Sequence, residues 1–369
     1  GVRIMAYTTI DEPSAQFTTT LYAGNGNADH AITNDANAGN FQPDMLWYKS
    51  RSYASSHILY DSSRGDANFL TVNTTAQEKQ DSTMLDSFDS NGFTLGSDTD
   101  GNRASNTFVA WQWKANGGTT ASNSSGSITS TVQANTDAGF NIVTYTGTGA
   151  NATVGHGLGV IPDLVIYKNR TDSGTGGGTN ANWIVQSSQN EVDQYMKLNT
   201  TDAAATDTGY FRGVRPSSTV LTLGNYNSNN GSNDNLIAYA FASKQGYSKF
   251  GKYVGNGSGT SDGTFDGVFV YLGFKPAWLM IKRTSYSGGD GWEMFDNTRP
   301  PRGGSTTAGS NYINNKLAAQ STSAESGNVY DAVDFLSNGF KTRTGRAGIN
   351  SGSTYTYYAF AENPFVTST

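Results

Sequence analysis

The sequence of 369 residues contains no cysteine. A disulfide framework, a thiolate zinc site and a cysteine nucleophile are therefore excluded. Charge is also scarce, at 15% of residues, and apolar residues reach only 36%, both low for a globular chain. The 24 Lys and Arg are outnumbered by 30 Asp and Glu, giving a net charge of −6. Such a surface repels a polyanion, so nucleic acid is not an expected partner. No apolar run approaches the ~18 residues that a membrane-spanning helix needs, so membrane insertion is not expected. The N-terminus shows no basic segment followed by an apolar stretch, so no secretory leader is read there. Met5 is read as a natural start preceded by four extra residues.

What fills the chain instead is Gly (44 residues), Ser, Thr and Asn, which suit turns and short strands better than helices. Aromatics make up 12%, led by 20 Tyr and 18 Phe. They supply large buried areas and argue against a disordered chain.

Five landmarks recur in order. Each copy opens on Tyr-x-Gly-x-Gly: Tyr22, Gly24 and Gly26; Tyr145, Gly147 and Gly149; Tyr253, Gly255 and Gly257. Next comes a Pro-led apolar run that ends in Lys: Pro43-Asp-Met-Leu-Trp-Tyr-Lys49, Pro162-Asp-Leu-Val-Ile-Tyr-Lys168 and Pro276-Ala-Trp-Leu-Met-Ile-Lys282. A second block follows, beginning at His57, Trp183 and Trp292. It carries Asp61/Arg64 in copy one and Asp296/Arg299 in copy three, but Ser187/Asn190 in copy two. The third block is Asp89-Ser-Asn-Gly-Phe93 and Leu336-Ser-Asn-Gly-Phe340, replaced in copy two by Ser218–Gly224. The closing strands are read as Val109–Lys114, Ile237–Ala242 and Tyr357–Glu362.

A period of this length is too long for a solenoid unit and long enough for a unit to close its own core. The reading is an N-terminal arm (1–13), a module at 14–116, a Gly/Ser/Thr/Asn-rich linker (117–138), and modules at 139–243 and 248–364. Within the linker, Ser127–Val132 alternates as a strand added to a neighbouring sheet would. The Pro-led runs are apolar on both faces, as a doubly covered central strand requires, so Trp47, Trp111, Trp113 and Trp278 are assigned to cores. Asn91-Gly92 and Asn338-Gly339 read as hairpin turns needing positive φ. The best helical windows, Thr75–Ser87 and Asn315–Glu325, are short and imperfect. The fold expected is all-β: three tandem antiparallel β-sandwich modules of jelly-roll, lectin-like type.

Several of these segments resemble one family. Met5–Ile10 with Leu21–Gly26, Phe41–Asp44, Tyr145–Gly149 with His156–Gly159, and the ending Ala359–Pro364 are similar to concanavalin-A-like repeats in virion structural and tail-fibre proteins of marine bacteriophages. The resemblance covers essentially the whole chain. It implies a virion surface protein made in the bacterial cytoplasm, in contact with other virion proteins, self-associating (as a trimer, for example), and attaching to the host surface, where a glycan and a protein are both open as the receptor. It brings no catalytic residues.

The residues themselves point to no enzyme. His30, His57 and His156 do not recur at one position, no nucleophile elbow is found, and no cofactor is expected. The glycine pairs precede strand, not helix, so they are read as turns and not as a phosphate cradle. Asp98, Asp100 and Asn102 supply loop oxygens of the kind calcium takes, weighed against an ordinary solvated loop. Tyr53, Tyr226 and Tyr286 are the loop aromatics placed to stack on a sugar. The expected function is virion assembly and attachment, with a carbohydrate-binding adhesin, and then a glycan depolymerase, as alternatives.

Overall fold

A computed structural model describes residues 8–34, 40–171, 182–258, 266–286, 290–299, 312–327 and 332–364. The expected start at Met5 lies outside the described residues. The protein is all-β and built from antiparallel sheets. Among the described residues, α-helix is confined to the single turns Thr99–Asn102, Thr208–Phe211 and Asn227–Asn230.

One sheet pattern recurs. In copy one the strands lie in the order Phe17–Ala23, Thr107–Trp113, Met45–Ser50, Ile58–Asp61, Asn68–Thr71 and Lys79–Gln80. Copy three repeats that order with Ser248–Val254, Thr354–Pro364, Phe274–Arg283, Trp292–Asp296, Asn315–Ala318 and Ser326–Gly327. Copy two runs Phe140–Thr146, Asn235–Phe241, Leu164–Asn169, Ile184–Ser187, Gln194–Lys197 and Ala205–Thr206. Ala121–Asn123 and Ser130–Asn135 extend its edge, so the segment read as a linker carries two strands. Val132 and Ile128 explain this, because each buries against the second sheet pair. The two helical windows hold strands Lys79–Gln80, Leu85–Asp89 and Asn315–Ala318 instead. Sheet pairing outweighs a weak helical period there.

A smaller sheet covers one face of each large sheet in a β-sandwich-like arrangement. Leu46, Tyr48 and Phe108 meet Ile32, Phe93 and Leu95 in copy one. Val165, Tyr167 and Ala238 meet Val154, Leu221 and Leu223 in copy two. Leu279, Ile281 and Tyr357 meet Val270, Val333 and Phe340 in copy three.

The opposite face of every large sheet is apolar as well, and these three faces form a fourth core shared by all copies. Alternation along a strand divides the residues between the two. Met45 and Trp47 face the shared core while Leu46 and Tyr48 face the local one, and Leu164/Ile166 and Trp278/Met280 repeat the division. All four tryptophans assigned to cores from sequence are buried. At the centre, Trp113, Phe241 and Phe360 meet in pairs at ring-centroid distances of 6.5, 5.6 and 5.9 Å. These three occupy the same strand position, opposite Met45, Leu164 and Trp278. The match corrects the third closing strand by one residue, to Thr356–Ala361 in place of Tyr357–Glu362. A void of about 20 Å³ beside the triad is lined by aromatic and aliphatic side chains.

The two expected hairpins form, and Gly92 has the expected positive φ of 151°, but the glycines do not sit inside the two-residue loops. Asp89 pairs with Gly92 and Leu336 with Gly339, so the loops are Ser90-Asn91 and Ser337-Asn338. Each glycine instead opens the return strand, where a Cβ would overlap the carbonyl of Ile32 or Val270 on the strand alongside.

Because one core joins all three copies, unfolding should be a single cooperative event. Phe241→Ala should cost about 3–5 kcal/mol and lower one common midpoint, followed by near-UV circular dichroism and calorimetry. A separate early step confined to copy two would contradict the shared core.

Candidate functional site

Two sets of polar groups repeat with the copies. The first explains the Tyr-x-Gly-x-Gly motif. Tyr22 donates to the Gly101 carbonyl (3.0 Å), Tyr145 to Asn229 (2.7 Å) and Tyr253 to Ile349 (2.5 Å). A buried Asn in the loop before the last strand then clamps the glycine turn. Asn102 Oδ1 accepts from the Asn25 amide (2.9 Å), Asn230 from Thr148 (2.9 Å) and Asn350 from Asn256 (3.2 Å). Their carbonyls accept from Gly26, Gly149 and Gly257. These glycines hold φ of 75, 69 and 68°, the left-handed region that their turns require. The first glycine of each motif has a different reason: a Cβ there would overlap the facing backbone.

This clamp defines the surroundings of the calcium candidates. Asn102 also donates to the carbonyls of Asn27 (2.7 Å) and Gly96 (2.8 Å), and its oxygen lies 2.8 Å from His30 Nδ1, so its carboxamide is fully engaged. Asp98 caps the helical turn by accepting from the Asp100 amide at 2.7 Å. Burial, aided by the Asp98 charge, raises Asp100 above its ordinary value. The loop thus offers two carboxylates, Asp98 and Asp100. Among the described residues no group of three or more His, Asp or Glu is placed to hold a metal.

The candidate tyrosines fall in different settings. Tyr53 donates to the Thr99 carbonyl at 2.5 Å beneath the Arg103 guanidinium, 5.0 Å from its ring centroid. Burial, with Asp100 adding, pushes it up to about 12. It therefore sits over the Asp98–Asn102 turn. Tyr226 donates to Asp207 (2.9 Å) and packs edge-on against Tyr210. Tyr286 is half exposed, with Arg283 4.4 Å from its ring centroid. Of the histidines, His156 accepts from the Leu158 amide (3.2 Å) through Nδ1 and places Nε2 3.1 Å from the Ser217 carbonyl.

The second repeated set lies at the seams between copies and is handed on cyclically. Trp183 of copy two donates to the Thr71 carbonyl of copy one (3.1 Å), and Trp292 of copy three to Lys197 of copy two (2.9 Å). His57 fills the same slot, facing Ala318 of copy three without a well-formed bond, and accepts from Trp47 Nε1 at 3.0 Å. The larger Trp47 compensates for the smaller His57, since copies two and three place Ile166 or Met280 beside a tryptophan. The repeated lysines cross the same seams. Lys168 donates to Thr75 (3.0 Å) and Lys282 to Thr201 (3.1 Å), while Lys49 turns to its neighbour Ser50 (2.8 Å). Burial pushes Lys49 and Lys282 down to about 8.

The Asp/Arg pairs belong to these seams. Arg64 bonds Asp61 (2.6 Å) and Glu78 (2.8 Å), Glu78 takes two bonds from Arg170 of copy two (2.8 and 2.7 Å), and Tyr239 of copy two donates to Asp61 (2.6 Å). Arg299 bonds Asp296 (2.7 Å) and Glu325 (3.3 Å), Glu325 takes two bonds from Arg51 of copy one (2.9 and 3.1 Å), and Trp111 donates to Asp296 (3.1 Å). Burial opposes the charge on Glu78, but Arg170 and Arg64 outweigh it and hold the carboxyl below its ordinary value. The third seam keeps the backbone joint, Ala204 N–H to Thr284 carbonyl at 2.9 Å, equivalent to Glu78–Arg170 and Glu325–Arg51. It lacks the ions: Ser187, Asn190, Ala204 and Thr284 replace Asp, Arg, Glu and Arg.

The repeated landmarks were visible in the sequence, but the seam roles of Glu78, Glu325, Arg51 and Arg170 were not. Arg51 and Arg170 each stand two residues after a repeated lysine, a spacing that marks them as a pair.

Repeated sheet pairs, a shared core and ion networks buried at seams define a class: a β-sandwich-like protein with internal threefold pseudosymmetry. The model of the family described as "Domain of unknown function (DUF7483)" matches residues 12–364, and the chain belongs to that family. The match spans all three copies. No curated protein matches the chain.

Two outcomes follow. Below its ordinary value of 6.5, His57 stays neutral in the fold, held down by burial and by Lys49, while in the unfolded chain it takes up a proton. Stability should therefore fall as pH drops below 6.5. Trp47→Met with His57→Trp should flatten the slope of unfolding free energy against pH between 5 and 6.5, and an unchanged slope would refute the assignment. Glu78→Ala alone should cost about 1–3 kcal/mol, because Arg170 loses both of its carboxylate bonds while Arg64 keeps only Asp61. Replacing the whole set (Asp61→Ser, Arg64→Asn, Glu78→Ala and Arg170→Thr) should cost less in urea unfolding, as the third seam already tolerates it.

Proposed function

We propose that the protein is a structural component of a bacteriophage virion surface, as a capsid decoration or fibre subunit, serving assembly and host attachment. In this reading each copy is a jelly-roll module of concanavalin-A-like type. The observation that carries the proposal is closure: three copies in one chain bury their inner faces together and leave their loops outside. Symmetric closed bodies suit repeated contacts with a symmetric particle. The sequence resemblance to marine phage virion proteins points the same way. The polar groups best placed for chemistry are instead engaged in clamps and seams, which favours a scaffold over an enzyme.

Gold-labelled antibody against the chain, applied to virions purified from infected cells, should decorate the particle surface. Label on the head would assign a decoration role, and label on the tail a fibre role. Purified particles that stay unlabelled while the lysate reacts would overturn the proposal.

A further inference from the structure

Copy two has a strand beside its first strand that copies one and three lack. Phe140–Thr146 does not end its sheet, because Ser130–Asn135 pairs along its outer side. The same segment then crosses to the small sheet, where Ile128 bridges Val154 and Ser127 bonds Thr153 at 2.9 and 3.0 Å. One stretch of chain thus closes the open side of that sandwich.

In copy three the equivalent strand, Ser248–Val254, stands at the edge of its sheet. Tyr145 and Tyr253 fix the alignment, so Ser248 matches Phe140 and Lys252 matches Thr144. The first rung survives, since the Lys244–Ser248 bridge matches Asn135–Phe140. The ladder then stops, because the residues before Lys244 lead back into Asn235–Phe241. Gly255 donates to the Ser353 carbonyl and Gly251 accepts from Thr356 Oγ1, so the odd-numbered residues face the neighbouring strand. Lys252 and Val254 therefore direct their main-chain groups outward.

The surface beside this edge is apolar. Val254 is 63% exposed, Phe269 45% and Tyr271 50%. Val270 pairs with Phe340 as Val154 pairs with Leu221 and Ile32 with Phe93. That match puts Phe269 and Tyr271 where copy two has Thr153 and Gly155 beside its own crossing segment, and where copy one has Ala31 and Thr33. Lys249 and Lys252 replace the neutral Asn141 and Thr144, and among the described residues neither lysine forms an ion pair.

An open strand edge is a template for another strand, and the side chains beside it select which one. We infer that the outer edge of Ser248–Val254 docks an extended segment of another polypeptide, antiparallel as Ser130–Asn135 is in copy two. Its apolar residues lie against Phe269 and Tyr271, and a carboxylate lies opposite Lys252. A second copy docking by the same strand would bring the lysines of both chains together, which like charge disfavours. This surface stands apart from the virion reading and does not depend on it.

A labelled peptide of residues 127–135 carrying Thr131→Glu, added to the whole chain, tests the inference by fluorescence anisotropy. It should bind saturably, about twofold to fivefold tighter than the same peptide with Thr131 kept. Val254→Pro removes an outward N–H, leaves the pairing to Thr354–Pro364 intact, and should abolish binding. Phe269→Ala with Tyr271→Thr, the residue types of copy one, should weaken it about tenfold. The aromatic pair decides the matter if Val254→Pro does not fold. No binding, equal affinity of the two peptides, or unchanged affinity in either folded variant would each overturn the inference. So would a chain that dimerises in sedimentation equilibrium and becomes monomeric in Val254→Pro, because a second copy would then hold the edge.

Discussion

Trp113, Phe241 and Phe360 come from three different parts of the chain and meet as one aromatic cluster. The rest of the architecture depends on that meeting. Each large sheet has an apolar face that its own small sheet cannot reach, and an uncovered apolar sheet face is strongly unfavourable in water. Two copies packed face to face would cover two such faces and leave the third exposed. Three copies arranged around an axis cover all of them. Given three copies, the closure of the body thus follows from one burial requirement.

The closing strand shows how much of this was legible in the sequence. Val109, Trp111 and Trp113 alternate with Ala110 and Gln112, so two buried faces could be read from the residues alone. Which surface covers each face could not be read, because a local sheet and a neighbouring copy demand the same apolar side chains. The length of the repeat suggested self-contained cores, and the shared fourth core left no separate mark. Asn102 shows the same limit in polar chemistry. An oxygen-rich loop looks alike whether its oxygens face a cation or backbone amides, and the clamp emerges only when Asn25, Asn27 and Gly96 are seen around it. The one-residue offset of the third closing strand arose because Tyr357 and Tyr358 are identical in type and only pairing with Met280 tells them apart.

Buried ions play a narrower part than the apolar core. An Asp/Arg/Glu set at a seam gains Coulomb energy but loses hydration, so its net contribution to stability is modest even though removing one member is severe. What such a set adds is specificity, since Arg51 and Arg170 can satisfy Glu325 and Glu78 only in one alignment of neighbouring copies. The cyclic order one to two, two to three and three to one is set by such directional bonds together with the indole donors at Trp183 and Trp292.

Covalent fusion changes what those seams can become. In a trimer of identical chains, a substitution appears at all three interfaces, so losing the ion network once means losing it everywhere. In a single chain the copies are already held at high effective concentration, and each seam can vary alone. Copy two lacks the Asp, Arg and Glu of the other seams and its neighbour lacks the partner Arg, and the remaining two networks with the aromatic centre still define the arrangement. The exchange left no stranded charge, because Ser187, Asn190, Ala204 and Thr284 removed both signs together. A seam without its ionic set still keeps the backbone joint of the others, Ala204 N–H to the Thr284 carbonyl, so main-chain bonding and the shared apolar core carry the alignment there.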